Sequence, residues 1–182
     1  MGVSWLLGRE QRLLIEEVKA HRARLYRLAF AWCHDSVLAD DLAQEAIVRG
    51  LSAIDQLRDS ACLRSWLFTI LHRSWVDHLR GQREHLDEEA LADLPCDQPG
   101  PDARAERQET VTRVRAAIDA LPLGQRQVLT LVDLEELSYA EVATVLAIPI
   151  GTVMSRLCRA RNALRGLLAE RQATGGTLRR VK

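Results

Sequence analysis

Thr152, Ser155, Arg156 and Arg159 lie at spacings of three, one and three, so a helix through them gathers two hydroxyls and two guanidinium groups on one face. Guanidinium pairs bidentately with guanine, and short hydroxyls reach phosphate oxygens, so the chemistry offered is recognition of duplex DNA. The opposite face of the same helix carries Ile150, Val153, Leu157, Ala160, Leu164 and Leu167, which read as core. Just upstream, Ser138 and Glu141 form an S-x-x-E capping box that opens a helix at Tyr139, with Val142, Ala143, Val145 and Leu146 as its apolar side. Pro149 lacks an amide hydrogen and favours the first turn of the next helix. Two short helices with a tight break and arginines on the second are the layout of a helix-turn-helix. Taken alone, these residues also fit an ordinary amphipathic helix with a solvated basic face.

A second set sits on the helix expected over about 62–82. Thr69, His72, Arg73, Val76 and Arg80 face away from Leu67, Ile70, Leu71 and Trp75. A basic, hydroxyl-bearing face beside aromatics suits unpaired bases and their backbone, although Trp66 and Trp75 themselves read as core. A third set, Asp40, Asp41, Gln44, Glu45 and Arg49, projects from a helix whose inward positions are Leu38, Leu42, Ile47, Leu51 and Ile54. A metal site would want more hard ligands and a loop to supply them. A charged docking surface for a basic protein partner is the sharper reading, and a solvated face the plainer one.

The elements that must position these residues are all helical. Residues 9–33 read as one long helix with a stripe of Leu14, Val18, His21, Leu25, Leu28 and Trp32. Asp35 or Ser36 caps the next helix, and a connector over Asp55–Ala61 leads to the third. Residues 84–109 hold nine acids against two arginines and include Pro95, Pro99, Gly100 and Pro101, which predicts a flexible acidic linker. Helical periodicity resumes near Arg107 and ends at Leu121-Pro122; Gln125–Leu134 forms a further helix. The expected organisation is therefore two small all-α domains, at 9–82 and 108–171, joined by the linker at 83–107 and followed by a flexible tail at 172–182. No internal repeat is present.

Composition agrees. Hydrophobic residues make up 47% of the 182, aromatics only 4%, and glycine and proline are few, which favours helices over sheets. The formal net charge of zero conceals segregation: residues 151–182 carry eight Arg/Lys against one acid. No segment reads as a signal peptide or a membrane span, and the four cysteines are widely spaced without a C-x-x-C, so a reduced cytoplasmic protein with unpaired thiols and no metal or cofactor is expected. Catalysis would need convergent acid, base or nucleophile groups. Asp77 and His78 are adjacent on a helix and point to different faces, so the chain does not read as an enzyme.

Taken in order, these pieces resemble the extracytoplasmic-function (ECF) sigma factors, small bacterial RNA polymerase specificity subunits of the sigma-70 family. Asp40-Asp41-Leu42-Ala43-Gln44-Glu45 is similar to the D-L-x-Q-E signature of region 2. Arg64-Ser65-Trp66-Leu67 continuing to Asp77 and Arg80 resembles its R-x-W-L…D-x-x-R helix. Ala120-Leu121-Pro122, Leu137-Ser138-Tyr139 and Thr152-Val153-Met154-Ser155-Arg156 resemble region 4 and its recognition helix. The resemblance implies that the surface around Asp41, Gln44 and Glu45 binds the β′ clamp of core RNA polymerase, with a further contact to the β flap. It implies that the 62–82 helix melts and reads the promoter −10 element and that Thr152, Ser155, Arg156 and Arg159 read the −35 element. It also implies control by an anti-sigma factor and a free chain that is monomeric. Arg73 stands where many relatives carry Asn, and Met154 where some carry a basic residue, so base preference is expected to differ there.

Two other functions compete. A stand-alone helix-turn-helix regulator explains 138–168 equally well but not the acidic-amide surface. A metal- or redox-sensing module built on Cys33, His34, Cys62, His72 and His78 lacks recognisable ligand spacing.

Overall fold

The computed structural model describes residues 8–57, 59–85 and 114–175. Among these there is no β-strand. The first domain comprises α1 (Arg9–Ala20), α2 (Arg22–Cys33), α3 (Ser36–Ser52) and α4 (Leu63–His85), with short 3₁₀ turns at Ile54–Gln56 and Ser60–Cys62. The second comprises α5 (114–119), α6 (Leu123–Leu129), a wide π-turn at Thr130–Leu134, α7 (Tyr139–Leu146) and α8 (Ile150–Gly175). The acidic segment 86–107 lies outside the described residues.

Residues 9–33 are two helices rather than the one expected. The His21 ring nitrogen Nδ1 lies 2.8 Å from the Glu17 carbonyl, the group that a continuous α-helix would offer to the His21 amide. That amide turns instead to Val18 O at 3.1 Å, and the chain bends. Asp35 is the cap of α3: its carboxylate accepts from the amides of Val37 at 2.8 Å and Leu38 at 3.1 Å. Gly50 lets α4 approach closely, since a Cβ there would meet Leu67 Cδ2 at 2.9 Å.

Gln125–Leu134 also departs from the expected regular helix. Glu135 N reaches back five residues to Thr130 O at 3.0 Å, and the Thr130 hydroxyl sits 2.9 Å from the Arg126 carbonyl and 3.0 Å from that of Gln127. The side chain competes for the carbonyls of the preceding turn, and the helix widens. At the other end of the domain the backbone of α8 remains helical to Gly175, so the helix passes Arg171 and takes in the first part of the expected tail; 176–182 lie outside the described residues.

Val18, Leu25, Trp32, Leu42, Leu67, Phe68 and Leu71 fill the first core; Val128, Leu131, Val142, Val145, Val153 and Leu157 fill the second. The two join through α2 against α6 and α4 against α7. Apolar burial at roughly 25 cal/mol per Å² dominates both. No single described helix is long and apolar enough to cross a membrane.

Candidate nucleic-acid and protein interfaces

The helix-turn-helix forms as its residues predict. Ser138 Oγ accepts from the Glu141 amide at 3.3 Å, and the Glu141 carboxylate accepts from the Ser138 hydroxyl at 2.7 Å and from Ser138 N at 2.8 Å; the hydroxyl first, and then the amide, hold that carboxyl below its usual pKa. α7 ends on Ala147 in the left-handed region, φ 52°, and α8 leaves at 103° to α7. That angle is within the range of DNA-reading pairs. Val153, Leu157 and Ala160 are buried, but Ile150, expected in the core, is exposed at the first turn.

On the outer face of α8, Ser155 and Arg159 are exposed, and Arg159 Nε reaches Ser155 O at 3.3 Å. Thr152 is half-buried. Arg156 differs from its neighbours: its guanidinium lies across Gly124, where an added Cβ would meet Nη1 at 3.0 Å, so it is half-buried against α6. Farther along, Arg161 pairs with Asp133 at 2.6 Å and ties α8 to the π-turn. Met154 is exposed beside Ser155.

The α4 set is less open than its helical wheel predicts. Arg73 and Arg80 are exposed, but Thr69, His72 and Val76 are half-buried. The Thr69 hydroxyl donates to Ser65 O at 2.9 Å. The His72 ring meets Trp32 edge-on at 6.0 Å, and burial, with Arg73 nearby, lowers its pKa. Trp75 is buried and Trp66 packs against the core.

The α3 set does form one surface, and most of it is internally paired. Asp40 takes Arg22 at 2.6 Å and Gln44 Nε2 at 2.5 Å; Arg49 holds Glu45 at 2.6 Å and Asp77 at 3.3 Å. Asp41 is exposed and unpaired among the described residues, and with Gln44 it lies between Val37 and Val48, which are 70% and 62% exposed. A shallow cleft between α3 and α4 is lined by Leu38, Asp41, Leu42, Glu45, Ser74, Asp77 and His78. No three His, Cys, Asp or Glu side chains among the described residues lie together as a metal site.

Residues 18–85 match the sigma-70 region 2 family, and 112–164 match sigma-70 region 4. Among curated relatives, the ECF RNA polymerase sigma factor EcfG of Rhodopseudomonas palustris is 34% identical over 157 residues, covering 85% of this chain and 84% of its own. The chain belongs to the ECF RNA polymerase sigma factors of the sigma-70 family. The RNA polymerase sigma-H factor of Pseudomonas aeruginosa is 32% identical and covers 81% of each chain. The solved sigma factor RpoE of Bartonella quintana, in complex with the anti-sigma factor NepR, has a TM-score of 0.65 at 25% identity, covering 85% of this chain and 95% of that one. CnrH, in complex with the cytosolic domain of CnrY, has a TM-score of 0.61 at 25% identity, covering 88% of this chain and 90% of that one. The two-domain all-α reading stands, and this sigma factor is a transcription initiation factor rather than a stand-alone helix-turn-helix regulator.

The sequence reading missed the contact between the domains. Arg126 is 8% exposed and donates to Trp32 O at 3.1 Å, to Asp119 O at 2.8 Å and to the His34 ring. The Trp32 indole N–H donates to Thr130 Oγ1 at 3.1 Å, and Arg24 pairs with Glu135 at 3.1 Å. The one signal available was Arg126 and Thr130 at i and i+4 inside an apolar helix.

Proposed function

We propose that this sigma factor divides its work among three surfaces. The outer face of α3, centred on Asp41 and Gln44, docks on the β′ clamp of core RNA polymerase, and the second domain seats on the β flap. The exposed strip of α4, with Arg73 and Arg80, engages the melted −10 strand, with Thr69, His72 and Val76 supporting it. The first turns of α8 read the −35 element, with Ser155 and Arg159 foremost, Thr152 beside them, and Arg156 contributing after it leaves Gly124. The domain limits follow the helices, with the first domain extended to His85 and the second to Gly175. The chain works by binding and not by catalysis, in the cytoplasm, where its polymerase is. As with the solved Bartonella quintana sigma factor held by the anti-sigma factor NepR, we infer such a regulator here.

The observation that carries this reading is the α3 stripe. Val37, Asp41, Gln44 and Val48 follow at spacings of four, three and four, and they present two exposed valines around an acid with no ion-pair partner among the described residues. A solvated face would not pair its other carboxylates and leave this one between apolar residues. Asp41→Arg should lower affinity for purified core polymerase about ten-fold or more by reversing one central charge, with helix content unchanged by circular dichroism. Normal co-elution of the variant with core polymerase would remove α3 from the interface.

A further inference from the structure

The contact between the domains places one carboxylate of the second domain in a basic corner of the first. Glu135 follows the π-turn, is 9% exposed, and lies 3.1 Å from Arg24 Nε. Burial pushes its carboxyl above the usual range, opposed by Arg24, Arg27, Arg64 and His21. Three of these are arginines, two on α2 and one on the first turn of α4, so two separate helices bring fixed positive charge near this carboxylate, and His21 stands at the α1–α2 bend. None of them belongs to the strip of α4 assigned to −10 reading. Next to Arg27 on α2, Tyr26 and Phe30 stack at 6.2 Å and 18°, and Phe30 is 41% exposed. Basic groups beside exposed aromatic rings are what single-stranded nucleic acid requires, since phosphates take the charge and bases take the rings.

We propose that His21, Arg24, Arg27 and Arg64 form a phosphate-binding face for single-stranded DNA, and that Glu135 of the same chain occupies it while the domains are docked. DNA and the second domain then compete for one surface. The proposal rests on the reading of this chain as a promoter-binding factor.

Length makes the competition necessary. The −10 and −35 elements lie about 25 base pairs apart by position, or roughly 85 Å at 3.4 Å per pair. A domain of about 60 residues has a radius of gyration near 10 Å, so two touching domains together span only about 55 Å. Docked at hydrogen-bond distance, as Trp32 and Thr130 are at 3.1 Å, the domains cannot straddle both elements. When they part, Glu135 leaves, and the four basic groups lose their counter-charge at the moment the promoter strand is to be held.

The test is fluorescence anisotropy of a short labelled oligothymidine with the full chain, across a salt series. Glu135→Gln should tighten binding about five-fold or more, the size of a typical coupling between competing ligands. Adding Arg27→Ala and Arg64→Ala to Glu135→Gln should abolish that gain and lower the slope of log affinity against log salt by about 0.7 per lost phosphate contact. If the triple variant melts early, Arg27→Ala alone in the Glu135→Gln background serves, because Arg27 is exposed. The proposal is overturned if the gain persists without the arginines, if Glu135→Gln changes nothing, or if no oligonucleotide binds with Glu135 neutralised. Polymerase-dependent run-off transcription by the unmodified chain reports the sigma-factor reading separately.

Discussion

α4 and α8 are both basic helices assigned to DNA, yet the structure treats them differently. The first turns of α8 pack Val153 and Leu157 inward and leave Ser155 and Arg159 open to solvent. α4 is packed against α3 on one side and α7 on the other, so only a strip bearing Arg73 and Arg80 remains exposed. Thr69 has its hydroxyl on Ser65 O, and His72 is held against Trp32. A helix with one buried side shows more of the face its wheel predicts than a helix buried on two sides, and part of what covers α4 is the other domain. Ser155 and Arg159 of α8 are open as folded, while Arg156 on Gly124 and the covered side of α4 are not.

The largest expected effect comes from removing the bond set that keeps α4 covered. Arg126→Ala strands the Trp32 and Asp119 carbonyls and empties a buried site, which should weaken docking by about 3 kcal/mol. Amide hydrogen exchange should then quicken in α4 and at the α2–α6 contact while the first turns of α8 stay unchanged. Equal change in both helices would show that α4 is not selectively shielded.

Next in size is the contrast in promoter reading. Arg159→Ala should cut −35-dependent run-off transcription about ten-fold and relax base preference there, the cost of one good side-chain contact to a base. Thr69→Ala, whose hydroxyl is already committed to its own helix, should change −10 utilisation less than about two-fold. If Thr69 proved the more sensitive site, the ranking of the two helices would be reversed.

The smallest effect is pH dependence. Burial and the neighbouring Arg126 lower the His34 pKa from 6.5, against the pull of Asp119 at 3.4 Å. The docked state thus favours neutral His34, whose Nε2 accepts from Arg126. Separated domains bind more protons in the window between the lowered value and 6.5, so docking is complete above that window and weakens as pH falls through it. His72 titrates in the same direction on the α4 side. Small-angle scattering should show expansion on mild acidification, and His34→Gln should flatten the profile. An unchanged profile in that variant would show that His34 does not set the response.

Much of this was legible from residue types alone. The Ser138–Glu141 box, the Asp35 cap, the Pro149 break and the Val153, Leu157 and Ala160 part of the α8 stripe are local decisions made by neighbouring residues, and they appear where the sequence puts them. The departures come from side chains that compete with the backbone. The His21 ring takes a carbonyl and breaks a long helix; the Thr130 hydroxyl does the same and opens a π-turn. Periodicity cannot report such competition, because it counts apolar positions and not hydrogen-bond partners. Arg156 was legible as basic but not as covering Gly124, since that contact joins residues far apart in the chain.

The sequence by itself determined the helices, the two-domain family and the residue types available for DNA and polymerase, because these depend on spacing within a turn or two. Only the tertiary structure decided which of those residues are free. Arg126 beneath Trp32, Glu135 on Arg24, and α7 over α4 are contacts between positions tens of residues apart. Their physical reason is that a buried charge must find partners wherever the fold supplies them.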